Sequence, residues 1–114
     1  MKITSRRNGR VLAERVEVAR SLTSRLIGLI GRRSFPQGSA FMIPGCKQVH
    51  TFLMRFPIDV VYSDADNRVV CAAERVKPFR LTSYCRTATQ AIELPAGTIS
   101  AAGIQPGDML LFSD

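Results

Sequence analysis

The sequence predicts an α+β fold dominated by β-structure: a small, strongly bent sheet or barrel-like domain with one principal short helix at about residues 21–31. Short runs of apolar or alternating residues are separated by Gly, Pro and Asn turns, and only one segment shows helical periodicity. A closed or nearly closed barrel is the preferred architecture. With 114 residues, 46% of them hydrophobic, residues 1–114 are expected to form a single domain.

The first predicted elements are a hairpin and a strand. Asn8-Gly9 is a strong hairpin signal, because both central positions of a type I′ turn require a positive φ. Residues 2–6 and 10–13 are therefore predicted to pair. Residues 15–19, Arg-Val-Glu-Val-Ala, alternate as a half-buried strand does.

The helix is predicted to begin after Ser21, a suitable N-cap, and to end at Gly31. Its apolar face consists of residues at helical spacing: Leu22, Leu26, Leu29 and Ile30. Arg25 and Arg32 are expected to face away from it. Gly28 inside this pattern costs about 1 kcal/mol relative to Ala, so we expect a neighbour to pack very close to it.

The rest of the chain is predicted to form strands separated by turns. The predicted strands are residues 39–43, 49–54, 58–62, 68–76, 89–94 and 109–112. Residues 98–102 are expected to form one helical turn.

Composition excludes several classes of protein. No apolar stretch approaches the roughly 18 residues that span a bilayer, and the first nine residues lack the apolar middle of a secretory signal. The three cysteines form no C-x-x-C pair, which favours free thiols in a reducing compartment over a disulfide framework. We therefore expect a cytoplasmic protein.

The net charge of +7 is concentrated at the beginning of the chain. Residues 1–33 hold nine basic groups against Glu14 and Glu17, whereas residues 34–114 hold seven of each sign. A nucleic acid or another anionic partner would use such a region. The arginines are spaced singly and no nucleic-acid-binding motif accompanies them, so a solvated surface is the simpler interpretation.

The most informative segment is residues 44–59, which place the only histidine near a cysteine and an acid. In a strand, His50, Phe52 and Met54 share one face. His50 is then either a buried core residue with hydrogen-bonded ring nitrogens or the base of a pocket with Phe52 and Met54 as walls. Asp59 and Glu93 each lie between apolar residues, and exposure to solvent is the expectation for both.

Three chemistries remain open on these residues. A Cys46–His50 thiolate dyad needs the imidazole within hydrogen-bonding reach of the sulfur. A zinc site has enough ligands but lacks the usual paired spacing: Cys46, His50, Cys71 and Cys85. A carboxylate pair, Asp59 with Glu93 or Asp108, has no separation that the sequence fixes.

Several motifs together resemble the domain of unknown function 192 family of bacteria and archaea. They are residues 25–32 (RLIGLIGR), 44–46 (PGC), 50–60 (HTFLMRFPIDV), 93–97 (ELPAG) and 107–108 (GD). The resemblance spans about residues 10–112. It implies a small β-barrel-like domain with a short helix, and it implies no reaction. Many members carry an N-terminal signal or membrane anchor, which we do not expect here.

These observations favour a non-catalytic binding module over an enzyme. The expected site for a small ligand or protein partner is His50, Phe52, Met54, Asp59 and Glu93, with no metal and no cofactor. The alternatives are a small enzyme using Cys46, His50 and Asp59, and binding of an anionic partner such as nucleic acid through the basic first third.

Overall fold

The computed structural model describes the backbone of residues 1–114 and the side chains other than those of Leu22, Arg25 and Leu26. The elements along the chain are β1 (Lys2–Ser5), β2 (Val11–Ala13), β3 (Arg15–Val18), α1 (Leu22–Ile27), β4 (Ser39–Pro44), β5 (Ile58–Ser63), β6 (Val69–Val76), β7 (Gln90–Pro95), α2 (Thr98–Ala102) and β8 (Leu110–Ser113). Among the residues described, no helix has the length and apolar character needed to cross a bilayer.

The strands form two sheets, a three-stranded sheet in the order β2-β1-β8 and a five-stranded sheet in the order β3-β4-β7-β5-β6. Only β3 and β4 pair in parallel, and α1 lies in the connection between them. The α+β, β-dominated fold with one principal short helix near residue 21 is confirmed. The preference for a closed barrel is wrong, because along the fully described backbone β3 and β6 remain open edges.

The five-stranded sheet has a core on each face. On one face, Val61, Ile92 and Leu94 pack with residues of the three-stranded sheet and with Ile99 of α2. On the other face, Phe41, Val60 and Tyr62 of the sheet form a second cluster. It is covered by Leu29, which follows α1, and by three loop residues, Val49, Met54 and Cys85. Because side chains alternate along a strand, each carboxylate on this sheet must face one core or the other.

The predicted hairpin is confirmed, but its turn type is wrong. Ile3 pairs with Ala13, and a loop that includes Asn8 and Gly9 connects the strands. Only Gly9 has a positive φ, of 71°. The Asn8 amide instead donates to Ala102 O at 2.8 Å, so contact with α2 determines the conformation of this loop.

The helix is shorter than predicted, since it ends at Ile27 rather than near Gly31. Ser21 is the N-cap as expected, accepting from Ser24 N at 3.1 Å. Gly28 ends the helix with φ 53°, and a Cβ added there would meet Phe41 at an ordinary 3.7 Å. Its positive φ, rather than close packing, explains this glycine. Of the predicted apolar face, Leu22 and Leu26, like the opposing Arg25, lie outside the described side chains, and Leu29 is buried.

Residues 49–54 do not form the predicted strand. They belong to an irregular loop whose one ladder contact is an isolated bridge between His50 and Leu81. Leu53 has φ 65°, a conformation that interrupts an extended run. The other predicted strands are present with ends shifted by a residue or so.

A disulfide between Cys71 and Cys85 corrects the expectation of three free thiols. The two cysteines are 14 residues apart in sequence and their Cα atoms are 6.4 Å apart, within the usual range for a disulfide. Nothing in the spacing of three cysteines indicates this pairing. The fold determines it by bringing the loop after β6 back against that strand.

Reduction should therefore destabilise the chain. The disulfide closes a loop and so lowers the entropy of the unfolded state. We expect loss of the disulfide to lower the free energy of unfolding by about 2–3 kcal/mol. Chemical unfolding with and without reductant measures the difference, and thiol titration of the unfolded chain should give one thiol before reduction and three afterwards. A Cys46→Ser variant is the matched control and should titrate as none and two. Three thiols before reduction would contradict the pairing.

Candidate ligand-binding site

A cavity of about 360 Å³ opens above the middle of the five-stranded sheet, on the face that carries α1. Its walls are apolar side chains from α1, β4 and the loop after β4: Ile27, Ile43, Val49 and Met54. Cys46, Lys47 and His50 also border it, and Glu93 of β7 lines it on the side of the sheet. We call this space the Glu93 cavity. Its volume, and walls that combine apolar side chains with polar groups, are typical of small-molecule sites.

Glu93 is a buried carboxyl in the middle of the sheet. β7 lies between β4 and β5, where Glu93 is opposite Phe41 on one side and Val60 on the other. Its side chain is only 2% exposed, and among the described side chains its Oε2 has no hydrogen-bond partner. Burial raises the pKa of Glu93 to about 8, and the positive charge of Arg32 opposes this rise only in part.

The charged and titratable groups around Glu93 have other partners. Arg32 forms an ion pair with Glu17 at 2.7 Å, and its guanidinium carbon lies 5.7 Å from the centre of the Phe41 ring. The hydroxyl of Tyr62 lies 2.6 Å from Thr82 Oγ1. Burial raises the pKa of Tyr62 to about 12. None of these hydrogen bonds involves Glu93, so Oε2 is left without a partner in the part of the chain whose side chains are described.

Hydrogen bonds fix the loop that forms the wall of the cavity. Lys47 Nζ donates to Arg86 O at 2.9 Å and to Ala88 O at 2.6 Å. Val49 N donates to Thr82 Oγ1 at 3.0 Å, and Thr82 N donates to Val49 O at 2.9 Å. The loop of residues 45–57 is thus attached to the loop of residues 77–89, and this positions Cys46 and His50 at the cavity.

Cys46 and His50 make contacts with the loop backbone. Cys46 Sγ lies 3.1 Å from Gln48 O, and His50 Nδ1 accepts from Phe52 N at 3.3 Å. The zinc alternative is wrong, because Cys71 and Cys85 are joined in the disulfide. Among the described side chains, no three His, Cys, Asp or Glu residues lie where they would bind a metal together.

The structure separates the other predicted site residues. Met54 lines the cavity, whereas Phe52 is exposed outside it and stacks on the His50 ring with centroids 5.5 Å apart. Asp59 does not reach the cavity. In β5 it alternates with Val60, which faces the cavity side, so Asp59 faces the opposite core beside Val61.

Asp59 accepts three backbone hydrogen bonds. Its Oδ1 accepts from Arg75 N at 2.8 Å, and its Oδ2 accepts from Gly97 N at 3.1 Å and Ile99 N at 2.8 Å. The last two amides lie at the start of α2, whose N-cap glycine has no side chain to cap them. The expectation that Asp59 and Glu93 are exposed is wrong, since they are 0% and 2% exposed.

Much of the basic charge in the first third has partners within the chain. Arg7 forms an ion pair with Asp108, at 2.7 Å from Arg7 Nε to Asp108 Oδ1, and Arg10 donates to Ala101 O at 2.9 Å. This pair lowers the pKa of Asp108. Arg15 donates to Gln37 O at 2.7 Å. These contacts join parts of the chain that are distant in sequence, which is a structural use of the arginines.

The sequence did not indicate the roles of Lys47, Ile27 and Ile43 at the cavity. Nothing in the local pattern marks Lys47, because its partners are carbonyls about 40 residues further along the chain. An acid between apolar residues in the 89–94 strand was the available signal for Glu93. The strand order, which buries β7 between two neighbours, was needed to interpret it.

Fold and site together define a β-rich domain with a ligand-sized cavity above the middle of an open mixed sheet. A family model described as "Uncharacterized ACR", domain of unknown function 192, matches residues 3–112. The chain belongs to this family. A curated relative, UPF0127 protein TK1120 of Thermococcus kodakarensis, is 27% identical over 112 residues, covering 95% of this chain and 71% of that protein.

Two solved structures share the fold. A protein of unknown function from Novosphingobium aromaticivorans matches with a TM-score of 0.86 and 19% identity, covering 98% of this chain and 84% of that one. A candidate transcription regulator from Sinorhizobium meliloti matches with a TM-score of 0.82 and 23% identity, covering 96% and 89%. Identities this low show the fold alone, and nothing in these comparisons points to catalysis.

Proposed function

We propose that the chain is a binding module that holds a small amine in the Glu93 cavity, with the amine N–H donating to Glu93 Oε2. The observation that supports this most directly is a buried Oε2 that no described side chain pairs, beside a space of about 360 Å³. Buried polar atoms in folded proteins are almost always hydrogen-bonded, and an unpaired one costs stability. A ligand that supplies the donor removes this cost.

The remaining groups suit a ligand with a short apolar body. Ile27, Ile43, Val49 and Met54 offer apolar contact, and Cys46 and His50 add polar contacts at the border. Lys47 Nζ is held by two carbonyls, so it does not neutralise Glu93. An ammonium group that approaches Glu93 also favours its ionised form, which burial otherwise disfavours.

Thermal unfolding against a library of small amines and the matching alcohols and carboxylic acids tests this proposal. A ligand at about 100 times its Kd adds about 2.7 kcal/mol, a shift of several degrees for a domain of this size. We expect amines to raise the midpoint of the wild type and of a Glu74→Gln control, whose carboxylate is exposed on β6. They should not raise that of Glu93→Gln. An equal shift in Glu93→Gln, or no shift in the wild type, would refute the proposal.

The affinity should also depend on pH in a specific direction. Below about pH 8 the carboxyl of Glu93 holds a proton that an ammonium ligand must displace. The affinity of the wild type for a permanently charged quaternary analogue or a strongly basic amine should therefore increase up to about tenfold per pH unit until about pH 8. Calorimetry in buffers of different ionisation enthalpy would detect the released proton.

The cellular location is a separate part of the proposal. The cytoplasmic prediction depended in part on three free thiols, and the Cys71–Cys85 disulfide removes that part of its support. Disulfides persist in oxidising compartments and are rare in the cytosol. We infer that the chain works in an oxidising compartment, which fractionation of the native organism followed by thiol labelling without reductant would test.

A further inference from the structure

We propose that the loops of residues 45–57 and 77–89 form a docking surface for an anionic lipid membrane. This inference is independent of the Glu93 cavity and its ligand, because it depends on the outer side of the two loops. We call them the docking loops. Three properties of their described side chains support it: exposed apolar groups, a single sign of charge, and fixed geometry.

The exposed apolar side chains of the protein are concentrated here. Of the nine large apolar side chains that the described structure leaves exposed, five belong to the docking loops: Phe52, Leu53, Phe79, Leu81 and Tyr84. The Phe52 and Phe79 rings lie 6.5 Å apart, and the His50–Leu81 bridge joins the same two loops. Patches of this kind mark sites of contact with proteins or membranes.

Two of these side chains are held at the surface by unusual backbone conformations. Leu53 and Phe79 have φ values of 65° and 62° and are 63% and 59% exposed. A positive φ is rare for bulky residues, and such strain persists mainly where the structure needs that conformation. Here the backbone is held by a hydrogen bond from Phe79 N to Thr51 O at 3.0 Å, while the Leu53 and Phe79 side chains stay largely exposed to water.

The charges of the docking loops are all positive. Between β4 and β5 and between β6 and β7 the sequence has no Asp or Glu, and it has five cations: Lys47, Arg55, Lys77, Arg80 and Arg86. Lys47 is bound to carbonyls. The other four are exposed, and none forms an ion pair with a described residue. Basic groups beside exposed apolar groups complement an anionic lipid surface.

The positive charge of the docking loops is not apparent from the composition, because residues 34–114 contain seven cations and seven acids. Three of those acids, Asp59, Glu93 and Asp108, are buried. The folded surface of this region is therefore more basic than its composition suggests, and the excess falls on the loops that also carry the apolar groups.

The two loops are fixed to each other, so the surface exists before any partner binds. Thr51 Oγ1 donates to Lys77 O at 2.6 Å and accepts from Arg80 N at 2.9 Å. The Cys71–Cys85 disulfide joins the second loop to β6. An ordered surface loses little conformational entropy on binding.

Lipid fits these features better than other polyanions do. Leu53 and Leu81 are aliphatic side chains that insert among acyl chains, and the rings of Phe52, Phe79 and Tyr84 suit the interfacial region of a bilayer. The protruding side chains do not line the Glu93 cavity, so they suit a broad apolar layer rather than a narrow groove for a peptide. An oxidising compartment, as the disulfide indicates, also offers membrane surfaces more readily than nucleic acid.

Co-sedimentation with vesicles tests the proposal. The vesicles are phosphatidylcholine alone, or phosphatidylcholine and phosphatidylglycerol in equal parts. The apolar variant is Leu53→Asn with Phe79→Asn, because asparagine tolerates positive φ and the fold is retained. Its control is Leu111→Ser, an exposed apolar residue on β8.

The charge variant is Arg55→Gln with Arg80→Gln, and its control is Arg6→Gln with Arg33→Gln from the basic first third.

We expect the wild type and both controls to sediment with the anionic vesicles and not with phosphatidylcholine alone. The apolar and charge variants should each bind about tenfold more weakly or worse. The proposal fails if the wild type does not bind the anionic vesicles, or if the apolar variant binds as well as the wild type. It also fails if loss of binding follows Arg6 and Arg33 instead. A single-stranded oligonucleotide or polyglutamate that binds through the docking loops where vesicles do not would replace lipid with that partner.

Discussion

Replacing Glu93 by glutamine should make the protein more stable at alkaline pH, by about 4 kcal/mol at pH 9 relative to the effect of the same change at pH 5. Burial raises the pKa of Glu93 from 4.5 to about 8. The folded state therefore holds this proton more tightly than the unfolded state does. The corresponding stability is present below about pH 4.5 and is lost as the pH rises to about 8. Glutamine does not ionise and avoids this loss.

Chemical unfolding of both proteins at pH 5, 7 and 9 measures this difference. Glu74→Gln is the matched control, because Glu74 is exposed on β6, and it should give a nearly pH-independent difference. If Glu93→Gln and the wild type lose stability in parallel from pH 5 to pH 9, burial does not raise the pKa of this carboxyl. The amine-binding proposal would lose its basis as well.

Replacing Asp59 by alanine should lower the free energy of unfolding by about 4 kcal/mol, with no direct effect on the Glu93 cavity. The change leaves three backbone amides without their acceptor: that of Ile99, which is buried, and those of Arg75 and Gly97, which are partly buried. Two of them begin α2, whose Ile99 and Ala102 belong to the core between the sheets. Loss of the carboxylate therefore weakens the attachment of the helix to that core.

Urea unfolding of Asp59→Ala and Asp59→Asn distinguishes a structural role from a binding role. Asparagine keeps one acceptor oxygen, so it should cost about half as much as alanine. Both variants should bind a cavity ligand as the wild type does at temperatures where they are folded. If Asp59→Ala is as stable as the wild type but no longer binds the ligand, Asp59 has a binding role and belongs to the site.

The sequence was sufficient for the elements whose signals are local. The alternating residues of β3, the apolar run of β5 and the Ser21 cap each predict the local structure that is found. Predictions failed where contacts between distant residues decide the conformation. Bonds to α2 shape the loop at Asn8, and the bridge to Leu81 replaces a strand at His50.

The candidate site was predictable as a set of residue types and not as an arrangement. His50, Met54 and Glu93 do meet at one cavity, and Cys46 borders it. Asp59 could not be excluded from the sequence, because only the register of β5 against β7 shows which face each carboxylate takes. Val60 lies opposite Glu93 and Asp59 opposite Leu94, so the two acids face opposite sides of the sheet.

Because of this arrangement, the residues that line the cavity and the residues that stabilise the core between the sheets lie on opposite faces of the five-stranded sheet. Substitutions at Ile27, Ile43 or Met54 alter the cavity on one face of the sheet, while Asp59 and the core between the sheets lie on the other. Effects of mutations far apart and without shared partners are close to additive. The chain is therefore a suitable starting scaffold for selecting new ligand specificities from a library confined to one face.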